Sequence, residues 1–226
     1  MVVLYKLTDE NNCTWKKGVE HAANEEHAYT SPLLAALLNP IHAGFENPSL
    51  WEVEGNIKKV DYGLKVRCTR LRTIREIPLP EITIKQHVRF AVLCAMKVCK
   101  RSRFLDWADK WLKNEDVSIA SAHAANADVI STARAAADAA YTVTYSVHTI
   151  TYVAAAYASA AHATNAAAHA ANANAISITH TAYSAHTAVA TNAAAYAAAN
   201  AAIAATIENI DFDIQELAEQ AVSNDS

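Results

Sequence analysis

The stretch "ATNAAAHAANANAISITH", residues 163–180, decides how the whole chain is to be read. It has no charge, glycine or proline, and alanine is interrupted only by Asn, His, Thr, Ser and Ile. Alanine has the highest intrinsic helix propensity and nothing in the stretch breaks a helix strongly, so it is expected to be helical. The same texture extends outward: residues 120–206 hold 39 alanines in 87 residues and three charges, Asp128, Arg134 and Asp138. As one rod this segment would be about 130 Å long at about 1.5 Å per residue. A rod would expose its Val, Ile and Tyr side chains, which predicts several helices of roughly 20 residues folded back on one another.

Without Gly or Pro, the turns between these helices fall to Asn and Asp, and Asn126–Asp128 and Asn172–Asn174 are the expected places. Two segments, "YTVTYSVH" (141–148) and "ISITHT" (176–181), alternate with period two as strands do. Tyr141, Tyr145, His148 and Tyr152 also stack on one helical face, and the flanking alanines are poor strand formers, so helix is favoured. Ile203, Ile207, Ile210, Ile214 and Leu217 follow 4-3-4-3 spacing. They predict one helical seam, preceded by Val189 and Tyr196, with Glu208, Asp211, Asp213, Glu216 and Glu219 turned to water.

Toward the N-terminus the texture changes. All four glycines and all five prolines precede Glu81, so turns belong there. "MVVLYKLT" reads as a first strand. "SPLLAALLNP" reads as a short helix capped by Ser31, begun at Pro32 and ended at Asn39-Pro40. "SLWEVEGNIKKVDYGLKVRCTRL" predicts a hairpin turning at Asp61-Tyr62-Gly63, with a bulge or a new strand at Thr69, where Arg70 and Arg72 take over the apolar parity. After Pro80, Val88, Ala91, Val92, Ala95 and Val98/Cys99 form one face of an amphipathic helix, opposite Lys85, Gln86, Arg89, Lys97 and Lys100. A second helix begins at a Ser102 cap and carries Phe104, Trp107/Ala108 and Trp111.

The expected fold class is therefore α+β: a small N-terminal sheet with a short helix over 1–81, then an α-helical domain over 82–226. Within the latter, amphipathic helices occupy 82–113 and alanine-rich helices 119–222. Charge divides similarly: residues 1–113 carry 18 Lys/Arg against 13 Asp/Glu, and residues 114–226 carry 1 against 10. Cys13, Cys68, Cys94 and Cys99 have no CxxC spacing and are expected as free thiols. There is no signal-peptide pattern and no run of eighteen apolar residues, which predicts a soluble cytoplasmic protein with no membrane association.

The basic run Lys65, Arg67, Arg70, Arg72 and Arg75 is the one nucleic-acid candidate. It lacks the interleaved aromatics of RNA-binding surfaces and is read as a solvated sheet face. Of ten histidines, six lie in the alanine-rich part: His123, His148, His162, His169, His180 and His186. None are at the i, i+4 spacing that presents two rings to one ion, so neither a metal nor a cofactor is expected. Asn and His in place of Lys and Glu leave a polar surface that scarcely repels another copy of itself. This assigns Tyr145, His148, Tyr157, His162, His169, His180, Tyr183 and His186 to contact with a protein partner or in self-association.

No G-x-S-x-G, P-loop or Rossmann glycine pattern occurs. A catalytic alternative draws on Tyr5, Lys6, His27, Tyr29, Glu46, Trp51, Glu52 and Glu54. Their order resembles ADP-ribosyltransferases, in which a first strand bears Arg or His beside Tyr and a later Glu activates the acceptor. The resemblance gives catalytic roles to Tyr5, His27, Glu52 and Glu54, although Lys6 stands where Arg or His belongs. The threonines among the alanines resemble those of helical antifreeze proteins, an ice-binding alternative, but they keep no eleven-residue repeat.

The opening "LYK", then "LWEVEG", then "PLPEITIKQHVRFAVLCAMKVCKRSRFLDWADKWLKNED" before long alanine helices, resembles accessory proteins of bacteriophages and other mobile elements. Their N-terminal domain has no assigned function and their tails are similar to immunity proteins. The resemblance is most specific over residues 78–116. It implies a non-enzymatic interaction protein in the host cytoplasm that binds a host or defence-system component, and it brings no catalytic residues with it.

Overall fold

The structure, a computed structural model, describes residues 2–9, 18–42, 45, 47–61, 63–129, 147–175 and 180–223. The fold is α+β, and the chain divides into two compact units, Met1–Ile82 and Thr83–Ser226.

The first unit is an antiparallel sheet of β1 (Val2–Thr8), β2 (Glu20–Ala28), β3 (Ser49–Asp61) and β4 (Lys65–Ile77), in the order β1-β3-β4-β2, with one helix, α1 (Pro32–His42), alongside β1. The predicted hairpin forms: Leu64 N–H donates to the Asp61 carbonyl at 2.9 Å, and Gly63 takes φ +73°, a left-handed conformation open to glycine. At Thr69 the outcome is a bulge within one continuous strand. Gly55 pairs with Leu71 while Ile57 pairs with Cys68, so one extra residue of β4 is accommodated and Leu71 takes over the buried parity of Val66 and Cys68. Leu4, Ala28, Val53, Val66, Cys68 and Leu71 make the core on this face. Gly55 is required there: a Cβ would sit 2.6 Å from Leu71 Cδ2 and 3.2 Å from Cys68 Sγ.

The sheet curls until its edge strands meet. Tyr5 and Tyr29 exchange backbone hydrogen bonds of 2.9 and 2.7 Å, and Lys6 Nζ reaches Glu26 at 3.1 Å. Ser31 caps α1 as expected, its Oγ accepting from Leu34 N–H at 3.1 Å. The helix does not stop at Asn39-Pro40 but runs to His42. Placed in the last turn, proline forfeits a single backbone bond, and Asn39 exchanges side-chain hydrogen bonds with the Phe45 backbone just beyond.

In the second unit α2 (Ile84–Val98) starts with a capping box between Thr83 and Gln86. It is the central helix, packed against α3 (Ser102–Leu112), α5 (Val147–Ala175), α6 (His180–Glu208) and α7 (Ile214–Ser223). Because neighbours lie on most sides of it, His87, Arg89 and Phe90 are buried as well as the predicted face, which corrects the placing of Arg89 on a solvent face. The cap of α3 is Arg101, not Ser102, and no side chain bonds to its first turn. Phe104, Trp107, Ala108 and Trp111 are buried as predicted and join a core built largely of alanine, from Ala122 and Ala125 on α4 (residues 119–129) to Ala160, Ala163, Ala190 and Ala194.

The alanine helices are longer than expected, at 29 residues each, and both expected turns lie inside helices. Asn126 and Asp128 belong to α4, where Asp128 accepts from Arg103 at 3.3 Å, and Asn172 and Asn174 belong to α5. α5 is described to Ala175 and α6 from His180. Residues 141–146 and 176–179, on which the strand reading rested, lie outside the described residues, and 147–148 and 180–181 are helical. Nor is the C-terminal seam one helix. Asn209 takes φ +52°, Ile210 N–H donates to the Ala205 carbonyl at 2.9 Å, and Asp213 caps α7 by accepting from Gln215 and Glu216. Val189 and Tyr196, expected on that seam, are exposed.

Candidate functional site

The sheet carries both the catalytic candidates and the basic run. Tyr5 stands opposite Glu52, and Val3 opposite Glu54, in the β1–β3 register, while His27 stands opposite Arg67, with β4 between its strand and β3. Glu52 accepts from Arg75 at 2.8 and 3.0 Å, and Glu54 faces Arg72 at 4.0 Å. Arg67 is paired with Asp61, and Arg70 with Glu20 at 3.5 Å. The basic run is therefore a cross-strand ladder of alternating charge, in which each arginine meets a carboxylate. Exposed pairs of this kind are worth about 0–1 kcal/mol each and leave little net field to attract a polyanion.

Local electrostatics follow from this ladder. Burial lowers the Lys65 pKa against the opposing pull of Asp61. The His27 pKa falls below its ordinary value through burial and the positive charges of Lys65 and Arg67, and Asp61 is held low mainly by the Arg67 hydrogen bond. Burial raises the Tyr29 pKa. Lys6 is engaged by Glu26, and Trp51 Nε1–H donates to Thr8 Oγ1 at 3.2 Å. Thus the structure brings Tyr5, Glu52 and Tyr29 together, bonds Glu52 to Arg75 and leaves Glu54 facing Arg72 without a hydrogen bond between them. Glu46 lies outside the described residues.

One feature of the sheet escaped the sequence reading. β1 pairs with β3 from Ser49 to Gly55, but β3 continues to Asp61 with β4 as its sole strand neighbour among the described residues. Asn56, Ile57, Lys58, Lys59 and Val60 are all exposed, with Ile57 at 41% and Val60 at 54%, and Val2 and Val3 are exposed at the adjoining end of β1. The signal was present in "NIKKV", which puts apolar residues on both parities, whereas a one-sided strand would confine them to one.

Four of the histidine and tyrosine candidates of the helical unit, Tyr157, His162, His169 and His186, have described contacts. His162 stacks on Tyr196 with ring centroids 5.5 Å apart, and Tyr157 packs against the alanine core. His169 and His186 bring their Nδ1 atoms to 3.0 Å. The His169 pKa is lowered by burial and by His186 and His123, and that of His162 by burial. Ser159 Oγ–H, fully buried, donates across to the Ala197 carbonyl at 2.9 Å. These cross-helix contacts could not be read from spacing along one helix, because they depend on the register between α5 and α6. His148, His180 and Tyr183 lie on these helices with side chains outside the described set, and Tyr145 lies outside the described residues. Thr164, Thr191 and Thr206 donate to carbonyls of their own helices, and Thr164 is buried.

Among the described residues no group of three or more metal-ligating side chains converges, and no helix is long and apolar enough to cross a membrane. Comparison with protein-family models, with curated proteins and with solved structures finds no match for this chain.

Proposed function

We propose that the protein is a non-enzymatic interaction module that takes up an extended segment of a partner protein along the outer edge of β3. The observation that carries this reading is the run Asn56–Val60, exposed on both faces and bordered by the exposed Val2 and Val3. An added strand would satisfy the outward backbone groups of β3 and cover Ile57 and Val60, gaining main-chain hydrogen bonds and apolar burial together. Lys58 and Lys59 set the chemistry of the occupant. They discourage this basic edge from pairing with its own copy and favour a segment that alternates acidic with apolar residues. The hydrogen bonds from Arg75 to Glu52 weigh against the transferase alternative at that carboxylate, which would have to activate an acceptor.

The resemblance to mobile-element proteins supplies a setting, the cytoplasm of a bacterial host, and a partner class, a host or defence-system protein. The reading calls for no cofactor, membrane or nucleic acid. A surface-displayed library of extended peptides, panned against the whole chain, tests it. Acidic-apolar binders are expected, and their affinity should fall at least tenfold with Ile57→Lys or with the double substitution Lys58→Glu, Lys59→Glu. Failure to recover binders, or binders indifferent to both variants, overturns the reading.

A further inference from the structure

We propose that His169 and His186 form a chelating site for a divalent transition-metal ion such as Zn2+, Ni2+ or Cu2+, held by the two Nδ1 atoms and clamping α5 to α6. The rings come from different helices, lie partly buried, and hold their Nδ1 atoms 3.0 Å apart with centroids at 5.3 Å and planes at 34°. Two metal–imidazole bonds of about 2.0–2.1 Å separate their nitrogens by about 2.9 Å at a right angle and about 3.3 Å at a tetrahedral angle. The observed separation lies within that span, and because the two Nδ1 atoms face each other nearly head-on, each ring tilts by about 35–45° to turn its lone pair onto a shared ion.

The proton balance is simple. In the metal-free pair one Nδ1–H donates to the other Nδ1. On binding, the donor ring changes to its Nε2–H tautomer through solvent, so two neutral imidazoles present two lone pairs with no net loss of a proton. His123, on α4, is near enough to influence His169 electrostatically. Because no three ligands converge among the described residues, the ion would keep open positions for water or a partner's side chain. Imidazole ligands select Cu2+, Ni2+ and Zn2+ over Mg2+ and Ca2+, which prefer oxygen.

Calorimetric titration of the whole chain with ZnCl2 and NiCl2, paired with thermal melts, tests the proposal. Expected are one ion per chain and a raised Tm, the ratio of folded to unfolded chain rising about a hundredfold at about a hundred times Kd, with no effect of MgCl2. His169→Gln and His186→Gln should each remove binding, and His162→Gln, at the stacked pair with Tyr196, should retain it. Independently of any variant, saturating Zn2+ should slow carbethoxylation of His169 and His186 at least tenfold in the unaltered chain. The proposal is overturned by the absence of saturable binding, by binding that survives both substitutions or is lost equally in His162→Gln, or by unprotected rings at 169 and 186.

Discussion

Burial sets His87 and His162 against protonation, and the effect can be tested. His87 is buried in α2 and its pKa is lowered by that burial, although the Thr83 carbonyl bonded to its ring pulls the other way; burial likewise lowers His162 beneath Tyr196. Their folded pKa values lie below the ordinary value of about 6.5. Above that value both states are neutral and these rings contribute no slope. As pH falls through about 6.5, the unfolded chain takes up protons that the folded chain resists, and stability is lost until the folded values are passed. The urea midpoint is therefore expected to drop between pH 7.5 and 5.5, and His87→Gln should flatten part of that slope; a midpoint that rises on acidification contradicts the account.

At the scale of elements, the chain after Gly63 has no glycine, and asparagine ends two of its described helices, α3 and α6. Asn114 closes α3 at φ +57° with Glu115 N–H donating to the Lys110 carbonyl, and Asn209 closes α6 in the same manner. Asparagine tolerates the left-handed conformation that alanine resists by about 1–2 kcal/mol. Asn209→Gly should consequently leave stability unchanged or raise it slightly, while Asn209→Ala lowers it by about 1 kcal/mol, measured by urea unfolding. Equal effects of the two would mean that the backbone conformation there is unimportant. Alanine has a similar structural purpose between helices. With Ala160, Ala163, Ala190 and Ala194 buried and Ser159 bonded straight to the Ala197 carbonyl, α5 and α6 approach closely, and stability accumulates from many small contacts.

At the scale of the whole molecule, the helical unit draws its core from its own helices, with Phe104, Trp107 and Trp111 set among alanines. Residues 83–226 expressed alone are therefore expected to show helical circular dichroism and a cooperative melt; a broad, non-cooperative transition would show that the core is insufficient. Much of this was legible along the chain: the α+β class, the Asp61–Gly63 hairpin turn, the shift of phase at Thr69, the Ser31 cap and the aromatic face of α3 all rest on neighbours within a few residues. Helix ends were less legible, because Asn occurs both inside α5 and at the end of α6, and only packing decides which Asn leaves the helix. The exposed outer edge of β3 was legible in "NIKKV" once it was known that β1 stops pairing at Gly55. The sequence by itself determined β1, the β3–β4 hairpin and the helical second half, because propensity and hydrophobic period act locally, but not β2, whose Glu20–Ala28 holds no β-branched residue. Only the tertiary structure decided that Arg89 is buried, that Glu52 and Glu54 meet arginines, and that His169 meets His186. Each of these depends on the register between elements distant in sequence, which the spacing of residues along one element does not encode.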